Sequence, residues 1–208
     1  MTNNNNNKEK IRTSKLSATT IKLMTLVAVL TITAIGTSQV YAHTTGYWTD
    51  YTQKYICTSS LDTIIHTNKV DPCGDLSSAA QKWNSVTYSN WSLTEASGGS
   101  GIYVYGLSNY LPSGVIAGVY PVNPTSPFDN EGKFVVVSKS SSHHFGDPTQ
   151  GETDKYDYIA LMTHEFGHVA GIGHNSQSSS VMKTGMVEGT FPRDPNSHDK
   201  SELRGLYS

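Results

Sequence analysis

Residues 164–174 read His164-Glu165-Phe166-Gly167-His168-Val169-Ala170-Gly171-Ile172-Gly173-His174, and the architecture turns on this run. His164 and His168 are four apart, so a helix sets both imidazoles on one face, one turn apart. Two neutral imidazole nitrogens on one face can grip a single zinc ion. Glu165 is turned by about 100° from His164. It is poorly placed as a ligand but can reach a water held on the metal. Gly171 tolerates positive φ and lets the chain leave the helix sharply, so His174 can turn back as a third ligand. Three His ligands leave a fourth position for water, which is the open arrangement of a catalytic zinc site. The pattern predicts hydrolysis of a peptide bond by a zinc-bound water activated by Glu165.

Working outward, the helix is predicted over 154–170. Ile159, Met162, Phe166 and Val169 form a stripe suited to a core. The bland reading is that the histidines and Glu165 decorate an ordinary helix. The stripe argues against it, because other residues supply the apolar face and the histidines point elsewhere. Downstream, 171–197 is rich in Gly, Ser and Pro and reads as irregular chain. A short amphipathic helix is predicted at 199–207.

Upstream, residues 75–86 read as a helix capped by Asp75, with Leu76, Ala79, Ala80 and Trp83 on one face. Short β-like runs follow at Trp91–Ala96, Ile102–Tyr105, Val115–Val122 and Lys133–Ser138. Gly98-Gly99, Pro112-Ser113-Gly114 and Asn123-Pro124 punctuate them. Residues 139–152 read as a loop. One helix, then strands, then helices predicts an α+β domain with a small twisted mixed sheet. Trp48, Trp83 and Trp91 are expected to pack, not to present sugar platforms.

The N-terminus reads as a targeting segment. Lys8, Lys10, Arg12, Lys15 and Lys22 precede an apolar stretch from Leu23 to Ile35, and Val40-Tyr41-Ala42 suits a signal peptidase. Cleavage is expected after Ala42, giving a signal peptide over 1–42 and a catalytic domain over 43–208. The alternative is an uncleaved signal anchor. The 208-residue chain holds 15 Lys+Arg against 17 Asp+Glu. The segment removed carries five basic residues and one acid, so the remainder has ten basic against sixteen acidic. That balance excludes a protein built mainly to bind nucleic acid. The expectation is a secreted, extracellular monomer with no stable membrane association after cleavage.

Export also decides the cysteines. Cys57 and Cys73 are the only two, and a disulfide between them is the default in an oxidising compartment. The alternative uses Pro72-Cys73-Gly74, which resembles the cysteine that keeps some zinc proteases latent by ligating the metal.

The extended motif HExxHxxGxxH marks metzincins. The chain resembles a metzincin zinc endopeptidase, and among these the matrixins, the matrix metalloproteinase type. The resemblance covers most of 43–208. Ser180-Val181-Met182 matches the Met-turn, which implies Met182 beneath the zinc ligands. Met186 is a weaker match. Asp199 to Tyr207 resembles the closing helix, and Ala80 to Trp83 the first. Gly114-Val115-Ile116-Ala117-Gly118-Val119-Tyr120-Pro121 resembles the edge strand that pairs with substrate. Ile116, Ala117 and Gly118 are therefore implied to bind substrate backbone by strand addition. Val181 to Pro195 is implied to wall the pocket beside the scissile bond.

There are departures. Gly118 stands where animal matrixins carry a His for a second zinc. His143, His144 and Asp147 cluster in the region of its companion loop, but without clean ligand spacing they are expected to be solvent-facing. Asn175 follows the third His where matrixins usually have Ser or Thr. One catalytic Zn2+ is expected; Ca2+ is left open, with nothing in the sequence to indicate it. Two rival functions share these residues, a secreted zinc-binding module without catalysis and a zinc amidase acting on cell-wall peptides. Glu165 separates the first from an enzyme, because a non-catalytic site has little need of that carboxylate.

Overall fold

The first helix begins earlier than Asp75. In the computed structural model α1 spans Pro72–Asn84. Asp71 is its cap, accepting the Gly74 amide at 3.1 Å, and Pro72 sits in the first turn, where a missing N–H costs nothing. Asp75 instead accepts the Asp71 amide from inside that turn. Leu76, Ala79, Ala80 and Trp83 are buried as expected. The structure describes residues 39–42, 52–65, 67–108, 110–121, 133–139 and 142–208. Residues 1–38 of the predicted signal peptide over 1–42 lie outside them, as does Trp48.

Helix α2 spans Tyr158–Val169 and starts four residues after the expected point. Tyr156 and Asp157 are drawn into a short strand pair with Phe145 and Gly146. Asp157 then caps α2, accepting the Ala160 amide at 3.1 Å. Every residue from Ala160 to Val169 is buried, so no face of this helix is open in the way a simple stripe implies. Ile159 is only half-buried, while Tyr158 and Leu161 are fully buried. Met162, Phe166 and Val169 of the predicted stripe are buried, and Ile159 is its one half-exposed member. Helix α3 spans Ser197–Tyr207, closed at its start by a capping box of Asn196 and Asp199. Among the described residues no helix is long and apolar enough to cross a membrane.

The strands are β1 (Gln39–Ala42), β2 (Thr52–Cys57), β3 (Ser92–Glu95), β4 (Ile102–Leu107), β5 (Val115–Pro121), β6 (Lys133–Ser138), β7 (Phe145–Gly146) and β8 (Tyr156–Asp157). Strands β1 to β6 form one sheet in the order β1-β5-β6-β4-β2-β3. Only β5 and β6 pair antiparallel; the other ladders are parallel. The expected α+β domain with a mixed sheet is therefore present, and its sheet is mainly parallel. Strand β2, invisible as a pattern in the sequence, starts a β2–α1–β3 crossover, as a parallel pair requires.

One face of the sheet carries Ile102, Val104, Ala117, Val119, Val135 and Val137 into a core shared with both long helices. Trp83 and Trp91 are buried there. The Trp83 indole donates to the Thr163 carbonyl at 2.7 Å, fastening α1 to α2. The Tyr207 hydroxyl donates to the Ala170 carbonyl at 3.1 Å, fastening α3 to the end of α2. The Cys57–Cys73 disulfide joins the end of β2 to the first turn of α1, which removes the metal-ligating alternative for Cys73.

Strand β5 holds Ile116, Ala117 and Gly118 at its centre, but it is not a free edge. Strand β1 runs parallel along its outer side, with Tyr41 opposite Gly118 and Ala42 opposite Val119. The described edges are thus β1 and β3.

Candidate metal centre

The helical spacing performs as the sequence predicts. His164 and His168 lie one turn apart on α2, and the chain after them reverses through a Schellman motif. Gly171 takes φ +84°, its amide donates to the His168 carbonyl at 3.0 Å, and the Ile172 amide donates to the Gly167 carbonyl at 3.0 Å. A side chain at Gly171 would strain this turn. The reversal returns His174 to the first two histidines.

The three Nε2 atoms form a tight triangle. His164 to His168 is 2.9 Å, and His174 lies 3.1 Å from each. Two carbonyls fix the rings. His164 Nδ1 donates to the Val181 carbonyl at 2.6 Å, and His168 Nδ1 donates to the Ile172 carbonyl at 2.8 Å. With the protons committed to Nδ1, both Nε2 atoms present lone pairs inward. Such a cluster of acceptors repels itself unless a cation sits among them. The spacing suits nitrogens that each lie about 2.0–2.1 Å from one zinc ion. Among the described residues this is the one group of three or more His, Cys, Asp or Glu side chains able to hold a metal ion.

The electrostatics agree with a ligand set. Burial, aided by the neighbouring imidazole of His174, pushes His164 down to about 3. Burial and both neighbouring rings hold His168 well below the usual range. Burial also lowers the half-buried His174. All three are neutral near pH 7, the form that ligates a metal. Glu165 is fully buried, and neither carboxylate oxygen has a hydrogen-bond partner among the described residues. Burial alone pushes it well above the ordinary carboxylate range. A bound cation would offset that shift. A buried, unpaired carboxyl is costly unless it has chemistry to do.

Residues 106–208 match the family model described as matrixin, of the peptidase M10 type. This stretch belongs to the matrixins. No curated protein matches the chain. The matched residues contain β5, β6, α2, the histidine triangle and α3, so the matrixin domain holds the whole centre. Its fold is metzincin-like, and the family together with the histidine triangle supports a zinc metallopeptidase.

Met182 is fully buried and packs under α2. A Cβ on Gly167 would collide with its Sδ, and would lie 2.7 Å from Trp83 Cζ2. Glycine at 167 is therefore what lets the Met182 turn approach the helix between the two histidines. Met186 is also buried, in the same core. The turn is held by residues that spacing alone did not mark. Asp199, fully buried in the first turn of α3, accepts from Ser180 Oγ at 2.5 Å and from the Val181 amide at 3.1 Å. Asn175 donates to Ser180 Oγ and to Asp199. The departure at 175 thus has a structural role: the longer amide spans from the third histidine to α3. Ser180 and Asp199 were legible only as parts of the family resemblance.

A second missed network lies at the other end of α2. Arg193 Nε donates to both oxygens of Asp157 at 3.0 and 2.8 Å, and its terminal nitrogen reaches Asp147. It ties the 183–196 loop to the helix cap. Asp147 also accepts from Thr149 and Gln150, so it is not aimed at a metal. His143 Nδ1 lies 3.1 Å from Ser138 Oγ. His143, His144 and Asp147 are not brought together as ligands among the described residues.

Proposed function

We propose that the protein is a secreted zinc endopeptidase, with His164, His168 and His174 as the metal ligands and Glu165 as the general base. The observation that carries this reading is three converging imidazole nitrogens together with a buried, unpaired Glu165 carboxyl on the same helix, next in sequence to His164. When bound, zinc supplies Lewis-acid polarisation of a carbonyl and acidifies water. Val181 and Ile172 carbonyls hold the ring tautomers that leave Nε2 available. Glu165 Oε takes a proton from the attacking water and returns it to the leaving amine. Its buried surroundings exclude bulk water and keep the proton on the path between the two reacting groups. Met182 supports the histidines from below through its contact with the helix at Gly167.

Substrate is an extended peptide added along β5 at Ile116, Ala117 and Gly118. Cleavage of the export segment after Ala42 would remove β1 and open that side of β5. The processed domain is then 43–208, acting as an extracellular monomer with one zinc.

The test is digestion of a mixed peptide library by zinc-loaded protein, read by mass spectrometry, beside Glu165→Ala. Loss of the base should cut turnover by about two to four orders of magnitude while zinc content, measured by elemental analysis, stays at one per chain. Equal cleavage by both proteins would sink the role of Glu165. Zinc bound with no cleavage by either would favour the non-catalytic module.

A further inference from the structure

A polar cavity of about 690 Å³ opens at the beginning of β5, lined by Ser113, Gly114, Ser138, Lys139 and His143 among others. Four segments meet there: the end of β4 at Leu107, the turn that launches β5, the end of β6, and the chain leading into β7. None of the lining residues takes part in the metal centre. Gly114 and Val115 also line it, so it is continuous with the strand assigned to substrate backbone. A peptide that pairs along β5 and continues past Val115 would bring a side chain to this opening.

The lining has a definite charge character. Lys139 is its one cation, and no carboxylate lines it. Lys139 is exposed, and no ion pair joins it to a described residue. His143 stands edge-on against Tyr156, with ring centroids 5.8 Å apart. Its Nδ1 meets Ser138 Oγ, which gives the wall an ordered neutral surface with hydrogen-bonding atoms. The one acid acting on His143 is Glu188, from the loop after the Met182 turn and outside the lining. A cavity with a single unengaged ammonium, hydroxyl groups and a neutral imidazole is complementary to a carboxylate.

We propose that this cavity is a substrate subsite that selects an Asp or Glu side chain, with Lys139 as its specificity-determining residue. The assignment rests on the reading of β5 as the substrate strand. It goes further by naming the side-chain class the enzyme prefers at one position beyond the scissile bond.

The experiment profiles cleavage sites in an end-blocked peptide library using zinc-loaded protein expressed from the full chain, in wild-type, Lys139→Met and Lys139→Glu forms. Wild type should enrich Asp and Glu at one position by about two- to fivefold, the range of a partly exposed ion pair. Lys139→Met should abolish that enrichment, and Lys139→Glu should replace it with Lys and Arg at the same position. An unchanged profile in Lys139→Glu, with cleavage and melting temperature retained, overturns the subsite. Should no form cleave, the endopeptidase reading fails separately, and binding decides the subsite. Glu165→Ala protein is titrated with one pair of fluorescent peptides differing only as Glu or Gln. Tighter binding of the Glu peptide, lost in the Lys139→Met background, supports the subsite; equal affinities overturn it.

Discussion

Replacing Arg193 by alanine should destabilise the domain through the cap of α2. Among the described residues Arg193 is the one cation paired with either Asp157, whose side chain is fully buried, or Asp147, whose side chain is 8% exposed. Removing one partner of a buried pair costs about 3–5 kcal/mol, because the remaining charge is left uncompensated. The Arg193 side chain keeps 19% of its surface exposed, so water can partly replace it and about 3 kcal/mol is the appropriate end of that range. For a domain of this size each kcal/mol moves Tm by about 2–4 °C, which gives a drop of about 6–12 °C. Lysine should recover less than half, since a point charge cannot serve both carboxylates with the geometry of a guanidinium. The loss should also depend on pH. Burial already raises Asp157 above the ordinary carboxylate range against the pull of Arg193. Without the guanidinium its folded value rises further, so ionised Asp157 is destabilising above that value. Lowering the pH lets it protonate and shed the penalty. Thermal melts of wild type and Arg193→Ala from pH 7.5 to 4.5 should therefore converge toward acid. A drop below 2 °C at pH 7.5, or a gap that does not narrow, would refute the reasoning.

Three further outcomes follow from the same structure. Gly167→Ala should cost about 1–3 kcal/mol by overpacking against Met182 and Trp83, read as a lower chemical-denaturation midpoint at unchanged slope; an unaffected midpoint would show that the turn yields freely. Burial would raise Asp147, yet bonds from Thr149, Gln150 and Arg193 and the charge of Arg193 bring it down to about 2. Its contribution is thus complete above about 3.8 and is lost as pH falls toward 2. Asp147→Asn should flatten the acid-unfolding curve in that window, and an unchanged curve would contradict the assignment. Reducing Cys57–Cys73, which closes a loop of 16 positions, should remove about 3 kcal/mol in the chain-entropy model; a melt insensitive to reductant would show that the crosslink restrains little.

Features that depend on local geometry are written in the order of residues. The four-residue spacing of His164 and His168 follows from the helical period, and the return of His174 follows from one glycine able to take positive φ. The face of α1 was legible because Leu76, Ala79, Ala80 and Trp83 recur at that same period. Structure and local pattern part where one local signal has a competitor nearby. Asp75 resembles a cap, but Asp71 precedes Pro72, whose ring suits the first turn. Ile159 fits the stripe, but it stands in the first turn of α2, directly after Tyr156 and Asp157 have paired with β7, and stays half-buried while Met162, Phe166 and Val169 are enclosed. Strand β2 carried no alternation strong enough to mark it.

Tertiary structure alone decided what holds the centre in working form. The carbonyl of Val181, 17 residues from His164, sets that ring's tautomer. Asp199 clamps the Met182 turn from 18 and 19 residues away, and Arg193 joins Asp157 and Asp147 across 36 and 46. The contact of β1 with β5 and the cavity at Lys139 likewise exist only once distant segments pack. A periodic pattern records which way a side chain points on its own element. It contains no information about which carbonyl or carboxylate the fold will bring to meet it, because that is fixed by how elements close over a common core.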